Sequence, residues 1–360
     1  MQAEMRVLHI AFLTFALSCS VTTSAQSISI TQEIAETQGF SSIKNLTELK
    51  TRASAGDPNA ELALGVAYYK GKDIPKDQAE GLVWYRKSAV LGNARAQFLL
   101  GAAYFVGEGV PKNQVEAVSW FRKAAEQGDA YGRFGLGRAY SYGEGVPKDE
   151  NEAANWYRKA AEQGEAGSQF GLGRAYFYGK GVTKDQFKGV MWLHRAAEQG
   201  DSQAEVLLGF AYLVGEGAPR NAVEAANWYR EAADHENAGG QFGLGVLYLH
   251  GTGVTKDAVK AADWFRRATE HGDGDAQFHL ARAYSDGEGV TRNDEEAYFW
   301  ANLAASANPN TASAKTIGMA ADLRKDVGSK LTSSKRLDLQ KRCQQWIKAH
   351  PYSEELGEHN

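Results

Sequence analysis

The chain has 360 residues, of which 43% are hydrophobic and 11% aromatic, a composition that excludes an intrinsically disordered protein. Its formal net charge is −4, with lysine and arginine spread along its length. That distribution gives no support to a nucleic-acid binder, which gathers positive charge on one face.

The first 25 residues read as a secretory signal. Arg6 and the amino terminus give a weakly positive start, partly offset by Glu4. Val7 to Leu17 is an apolar run too short to span a bilayer, and Thr23-Ser24-Ala25 supplies small residues for cleavage before Gln26. The same stretch admits an uncleaved anchor. It also admits a lipoprotein reading at Cys19, although Ala16-Leu17-Ser18 has the wrong order of apolar and small residues for that. Cleavage after Ala25 leaves Cys343 as the one cysteine, so no internal disulfide is expected and packing must hold the fold. Residues 26–44 read as a mobile leader. No other stretch is long and apolar enough for a transmembrane helix, so the mature chain is expected to have no integral membrane span.

Residues 45–55 begin the ordered part. Asn45 to Ala53 precedes Gly56-Asp57 as a second helix precedes each later Gly-Asp, with Glu48 at the position that later holds tryptophan. This is a half-repeat with a polar outer face, as an end cap requires.

From there to residue 307 the chain repeats every 36 residues. Tryptophan recurs at Trp84, Trp120, Trp156, Trp192, Trp228, Trp264 and Trp300. Glycine recurs ahead of it at Gly65, Gly101, Gly137, Gly173, Gly209 and Gly245, with Ala281 closing the row. Such a period marks stacked repeats. Seven units follow, 56–91, 92–127, 128–163, 164–199, 200–235, 236–271 and 272–307, each with two helical patterns.

In the third unit Asp129 caps the first helix, and Phe134, Leu136, Ala139 and Tyr140 recur at helical spacing. Gly137 admits a close neighbour, at about 1 kcal/mol of lost helix propensity. Gly143-Glu144-Gly145-Val146-Pro147 ends the helix. The same Gly-x-Gly recurs at Gly107/Gly109, Gly179/Gly181, Gly215/Gly217, Gly251/Gly253 and Gly287/Gly289, never followed by Gly-Lys-Ser/Thr. It is a turn and not a phosphate loop. Asp149 and Glu152 have capping-box spacing, repeated at Asp77/Glu80, Asn113/Glu116, Asn221/Glu224 and Asn293/Glu296, while Lys188 and Lys260 break the pattern. Ala153, Trp156, Tyr157, Ala160 and Ala161 then form an apolar stripe. The tryptophan ring is expected to wedge between units, so that Trp156→Ala costs about 3–5 kcal/mol.

The pattern changes after Asn308-Pro309-Asn310. Helices are expected over 312–327 and from Thr332 to His350, the second burying Leu337, Leu339, Cys343, Trp346 and Ile347. Residues 308–350 read as a capping pair, or alternatively as a separate binding module, with 351–360 a frayed tail.

Chemistry-bearing constellations are sparse. The histidines form no His-Glu-x-x-His pair and none stands at metal-ligand spacing from a cysteine. His279 replaces the alanine, leucine or glycine of other repeats, which fits a ligand contact or a packed ring. No serine has a nucleophile context, Ser333-Ser334-Lys335 included. No catalytic residue, metal site or cofactor is assigned.

The unit Phe-Gly-Leu-Gly-Arg-Ala-Tyr-x-Tyr-Gly-x-Gly-Val, followed by Lys-Asp and Ala-x-x-Trp-Tyr-Arg-Lys-Ala-Ala-Glu-Gln-Gly, closely resembles the Sel-one-like repeat (SLR) family, relatives of the tetratricopeptide repeats, over about residues 45–307. The resemblance implies an all-α, right-handed superhelical solenoid of helix-turn-helix repeats. It also implies a bacterial exported protein, periplasmic or secreted, acting as a non-catalytic scaffold that binds a protein or peptide on its concave face. A homo-oligomer is a further possibility. The alternative is a protein that binds or hydrolyses cell wall or β-lactams, as in a cysteine-rich branch of the family; the repeats here lack that branch's paired cysteines.

By the same analogy the first helix of each pair lines the concave face. One residue after the glycine stand Val66, Ala102, Arg138, Arg174, Phe210, Val246 and Arg282. Five residues after it stand Lys70, Val106, Tyr142, Tyr178, Val214, His250 and Asp286. Arg138 with Tyr142, and Arg174 with Tyr178, read as a basic-aromatic patch suited to a carboxylate beside an apolar group. Phe210 and Arg282 extend the candidate surface. The competing reading pairs the arginines with neighbouring glutamates and packs the tyrosines between helices.

Overall fold

The computed structural model describes residues 46–71, 73–309 and 311–350; the expected signal (1–25), leader (26–44) and tail (351–360) lie outside them. Among the described residues there are seventeen helices and no strand. After α1 (Leu46–Ser54) come α2 (Pro58–Lys70), α3 (Gln78–Val90), α4 (Ala94–Val106), α5 (Gln114–Glu126), α6 (Ala130–Tyr142), α7 (Glu150–Ala161), α8 (Ala166–Tyr178) and α9 (Gln186–Ala197). Then follow α10 (Ser202–Val214), α11 (Ala222–Asp234), α12 (Ala238–His250), α13 (Ala258–Glu270), α14 (Gly274–Asp286), α15 (Asp294–Ala305), α16 (Ala314–Ser329) and α17 (Ser333–Ala349). They form two compact units, an N-terminal one through Ala196 and a C-terminal one from Ala197. Each is an all-α stack of helix pairs, and within each the first helices of neighbouring repeats also pack on one another: α4 on α6, α6 on α8, and α10 on α12.

The helix ends follow from capping chemistry. The carboxylate or amide of Asp57, Asn93, Asp129, Glu165, Asp201, Asn237 or Asp273 accepts backbone N–H groups in the first turn of the helix it precedes. Each first helix stops at a left-handed glycine, Gly143 at φ 77° for example. The second loop glycine is fixed by contact. A Cβ on Gly145 would lie 2.2 Å from the Gln114 carbonyl oxygen, and one on Gly253 2.0 Å from that of Ala222, so the loop rests on the start of the preceding repeat's second helix.

The capping boxes close only halfway. Asp149 accepts the Asn151 and Glu152 N–H groups, but its own N–H donates to the Tyr140 carbonyl at 2.9 Å, not to Glu152. The same bond to a first-helix tyrosine recurs from Asp77 to Asn293, because the loop brings that carbonyl to the cap. The glutamate is released for other work: Glu116 accepts the indole N–H of Trp120 at 2.9 Å. Lys188 and Lys260 do not break the cap either, since each pairs with its capping aspartate, at 3.2 and 3.5 Å.

The tryptophans are not the deepest wedges. Trp84, Trp156, Trp192, Trp228 and Trp264 are half-buried. The outer faces of Trp84, Trp156, Trp192 and Trp264 carry a cation three residues on, as with Lys87 3.7 Å and Arg267 4.6 Å from the ring centres of Trp84 and Trp264, whereas Glu231 follows Trp228 at that spacing. The residue after each tryptophan fills the core: Tyr85, Phe121, Tyr157, Leu193, Tyr229 and Phe265 are buried. The repeating glycine receives that side chain. A Cβ on Gly137 would stand 2.6 Å from Tyr157, and one on Gly209 2.7 Å from Tyr229. In the seventh repeat both partners change together, Ala281 for glycine and Ala301 for the ring, and both are fully buried.

At the ends, α1 packs on α2 with Leu49 and Ala53 buried and Glu48 exposed. Helices α16 and α17 pack on α15, where Leu339 and Cys343 are buried and Arg342 pairs with Glu296 at 2.5 Å. Leu337, expected inside, is 53% exposed, because α17 offers only one narrow face to α15.

The C-terminal unit buries acids at its helix starts. Asp273 and Asp275 are 3% and 4% exposed. Burial and the charge of Asp275 push the Asp273 carboxyl well up; burial pushes Asp275 to about 6, against hydrogen bonds from Thr316 and Ser313. Burial likewise takes Asp201 to about 6. The folded chain therefore binds these protons more tightly than the unfolded chain, and their contribution to stability is lost as pH rises from roughly 4 through 6. Buried His279, whose pKa is pushed down to about 3, acts oppositely below about 6.5. Three raised acids outweigh one histidine, so calorimetry should give a higher Tm near pH 5 than near pH 7.5. Asp273→Asn, which keeps a capping side chain, should raise Tm at the higher pH. A Tm that climbs with pH would contradict this.

Candidate binding surface on the first helices of the N-terminal unit

Position along a first helix decides what its side chains can do. Residues facing the second helix are repetitive and buried, such as Leu136, Ala139 and Leu172 at 0%, 0% and 0% exposure. The positions that vary between repeats fall on the other side, where Arg138, Tyr142, Arg174 and Tyr178 are all half-buried.

The structure brings these four together, but not in helical-turn pairs. Arg174 donates to the hydroxyl of Tyr142 in the preceding repeat at 3.1 Å, and its guanidinium lies 5.8 Å from the ring centres of both Tyr142 and Phe170. Arg138 reaches back likewise, 4.8 Å over the Phe105 ring, with the Glu144 carboxylate 3.9 Å away. Each arginine is thus held on an aromatic face one repeat earlier, which fixes its position. Tyr178 meets Phe177 edge to face at 5.2 Å. The buried Tyr157 phenol belongs to the same cluster: burial and Tyr142 push its pKa up, while Arg174, Arg138 and Ser141 oppose the shift.

Two features were not singled out from the sequence. Lys180 occupies the middle of a Gly-x-Gly loop that holds glutamate at Glu108, Glu144, Glu216 and Glu288. Burial, then Arg174 and Lys148, push its pKa down against Glu150, so positive charge is concentrated there. The second is a cavity of about 40 Å³ lined by Phe98, Ala102, Phe105, Phe121, Phe134 and Arg138, among others. It opens beside Gly135, where the second and fifth repeats have Leu99 and Leu207.

Two sequence candidates belong to the C-terminal unit. Phe210 is 3% exposed, since the row turns apolar in the C-terminal unit, where Val246 is also 3% exposed; it is core and not a contact. Arg282 is exposed in that unit and lies 3.9 Å from Asp286 of its own helix. His279 is a packed ring, stacked on Phe265 with centres 5.0 Å apart, and burial takes its pKa down to about 3. No group of histidine, cysteine or acidic side chains that could hold a metal ion is present among the described residues.

A profile of the Sel1 repeat matches residues 58–93, 94–129, 130–165, 166–201, 202–237, 238–273 and 274–309, well over half the chain. The chain belongs to the Sel1 repeat family. Its seven Sel1 repeats, framed on the helices, start two residues later than the tryptophan-aligned units. A solved Sel1 repeat protein from Oxalobacter formigenes is 32% identical over 72% of this chain and 75% of that one, with a TM-score of 0.57. The protein c5321, described as a protective antigen of uropathogenic Escherichia coli with an SLR fold, is 27% identical over 86% of this chain and 88% of its own, at a TM-score of 0.37. Immunity protein Pa5087 from Pseudomonas aeruginosa is 19% identical over 72% of this chain and 86% of its own, at a TM-score of 0.39. Among curated proteins none matches significantly. Sel1 repeat proteins are generally protein-interaction scaffolds and generally non-catalytic.

Proposed function

We propose that this Sel1 repeat protein is an exported bacterial scaffold that holds an extended segment or partner helix of another protein on the first-helix face around Arg138, Tyr142, Arg174 and Tyr178. The observation that carries the reading is the pair of arginines seated on aromatic rings of the preceding repeat, half-buried and pre-positioned. Arginine and tyrosine at such sites lose little freedom on binding and dominate interface energetics. Export is supported by the signal pattern of residues 1–25. No helix among the described residues is long and apolar enough to cross a membrane.

Photocrosslinking tests the reading. A photoreactive residue in place of Tyr142 should capture a partner in producing cells. One in place of Val115, which is 69% exposed on a second helix, should not. Capture from Val115 with none from position 142 would overturn it.

A further inference from the structure

We infer that the outer side of the C-terminal helix α17 is a docking surface for an anionic lipid bilayer, with Lys341 and Lys348 meeting the headgroups and Leu337 entering between them. The inference concerns the C-terminal unit alone and does not depend on partner binding by the first helices.

Charge singles out this end of the chain. Residues 314–349, which form α16 and α17, hold nine lysines and arginines against three aspartates, a net charge of +6 in a chain whose total is −4. None of the seven 36-residue units exceeds +2, so the excess belongs to the cap and not to the repeat. The fold answers part of it. Lys335 pairs with Glu295 at 3.1 Å, Arg342 with Glu296 at 2.5 Å and Lys330 with Asp326 at 3.0 Å. The first two of these help to fasten α17 to α15. Lys341 and Lys348 take no part in them: both are exposed and make no ion pair among the described residues. Glu354, Glu355 and Glu358 follow in the sequence, outside the described residues, and leave residues 314–360 at +3.

Geometry puts the two lysines on one line. Leu337, Lys341, Gln344 and Lys348 follow at the spacing that keeps residues on one face of a helix. All four are exposed, Leu337 at 53%, and they lie opposite Leu339 and Cys343, which are buried against α15. A lone exposed leucine needs no explanation. Set in a row with lysines on an uncovered helix of 17 residues, it gives the row the mixed apolar and basic character of helices that lie on membranes.

Charge complementarity selects an anion, and shape selects a layer of them. Lysines are compact charges that suit a field of headgroups, whereas fixing one carboxylate draws on the planar fork of arginine. The row is the convex side of a helix, which meets a flat layer more fully than it meets an extended peptide. Two lysines about 10 Å apart along the helix make too short a track for a nucleic acid.

The experiment is co-sedimentation of the full mature protein with vesicles of phosphatidylglycerol and phosphatidylethanolamine in equal parts, and with vesicles of phosphatidylcholine alone. Binding should occur on the first and not on the second, and should weaken as salt rises. Lys341→Glu with Lys348→Glu should lower the partition about tenfold or more. Lys112→Glu with Lys184→Glu, the same change of net charge at exposed positions of the N-terminal unit, should leave it near the wild-type value. Leu337→Cys carrying an environment-sensitive fluorophore should brighten with the anionic vesicles. If circular dichroism shows that the glutamates disturb the fold, Lys341→Gln with Lys348→Gln should give a smaller loss in the same direction. Equal binding to the two kinds of vesicle would overturn the inference, as would no binding at all or a partition unchanged by the lysine variants. Tighter binding of a single-stranded oligonucleotide or of polyglutamate than of the anionic vesicles would overturn it too. None of these results bears on capture at position 142.

Discussion

Phe265→Ala is expected to cost about 3–5 kcal/mol, and Trp264→Ala, one residue earlier, markedly less. Phe265 is 1% exposed and its ring meets Phe242 at 5.9 Å and His279 at 5.0 Å, so truncation leaves a void bounded by two repeats. Trp264 is the larger side chain, but it is half-buried, and its outer face carries Arg267. Removing it forfeits packing at a rim that water can reach, where relaxation is easy. Chemical denaturation of the two variants decides the order, since in a repeat array the loss is local to the altered unit and its neighbours. A tryptophan variant as costly as the phenylalanine one would restore the indoles as the main wedges.

Gly245→Ala should destabilise by about 1–3 kcal/mol, although alanine is intrinsically the better helix former by roughly 1 kcal/mol. The added Cβ would stand 2.6 Å from carbon atoms of the Phe265 ring, a distance that forces the ring or the helix to move. Pairing the substitution with a smaller partner should recover much of that loss. The double variant Gly245→Ala with Phe265→Ala should be more stable than the sum of the single losses allows, as repeat seven shows with Ala281 and Ala301. Additive losses in the double-mutant cycle would mean that glycine and ring do not share one contact.

The period, the caps and the Gly-x-Gly turns were legible in the sequence because each is a local rule repeated seven times. Which aromatic goes deepest was not. Trp156 and Tyr157 both lie on the apolar stripe, about 100° apart around the helix, and periodicity does not choose between neighbours. Part of the signal was present in Lys87, Lys159, Arg195 and Arg267, each three residues past a half-buried tryptophan; Lys123 follows the buried Trp120 in the same way, so the cation alone does not set the depth of the indole. The capping boxes were half legible because their second partner, a tyrosine carbonyl, is supplied by the folded loop.

The candidate surface divided in the same way. Arg138, Tyr142, Arg174 and Tyr178 stood out as irregular positions, yet their pairing runs across repeats: Arg174 meets Tyr142, 32 residues earlier, and not Tyr178 one turn on. Phe210 shared the register of the arginines but went into the core, as an aromatic without a polar tip does when its neighbours close over it. Lys180 went unnoticed because its loop had been read as punctuation. Punctuation fixes the two glycines; it leaves the residue between them free to vary.

In the proposed reading, regular positions hold the fold and irregular positions on the first helices carry recognition. The most direct test measures melting temperature and partner capture by a photoreactive residue at position 142 side by side in the double variant Arg138→Ala with Arg174→Ala and in Phe265→Ala. The arginine variant should lose capture at an unchanged Tm. Phe265→Ala should lose stability while capturing the partner like the wild type at temperatures where it is folded. Unchanged capture in the arginine variant, or a loss of both quantities in both variants, would contradict the division.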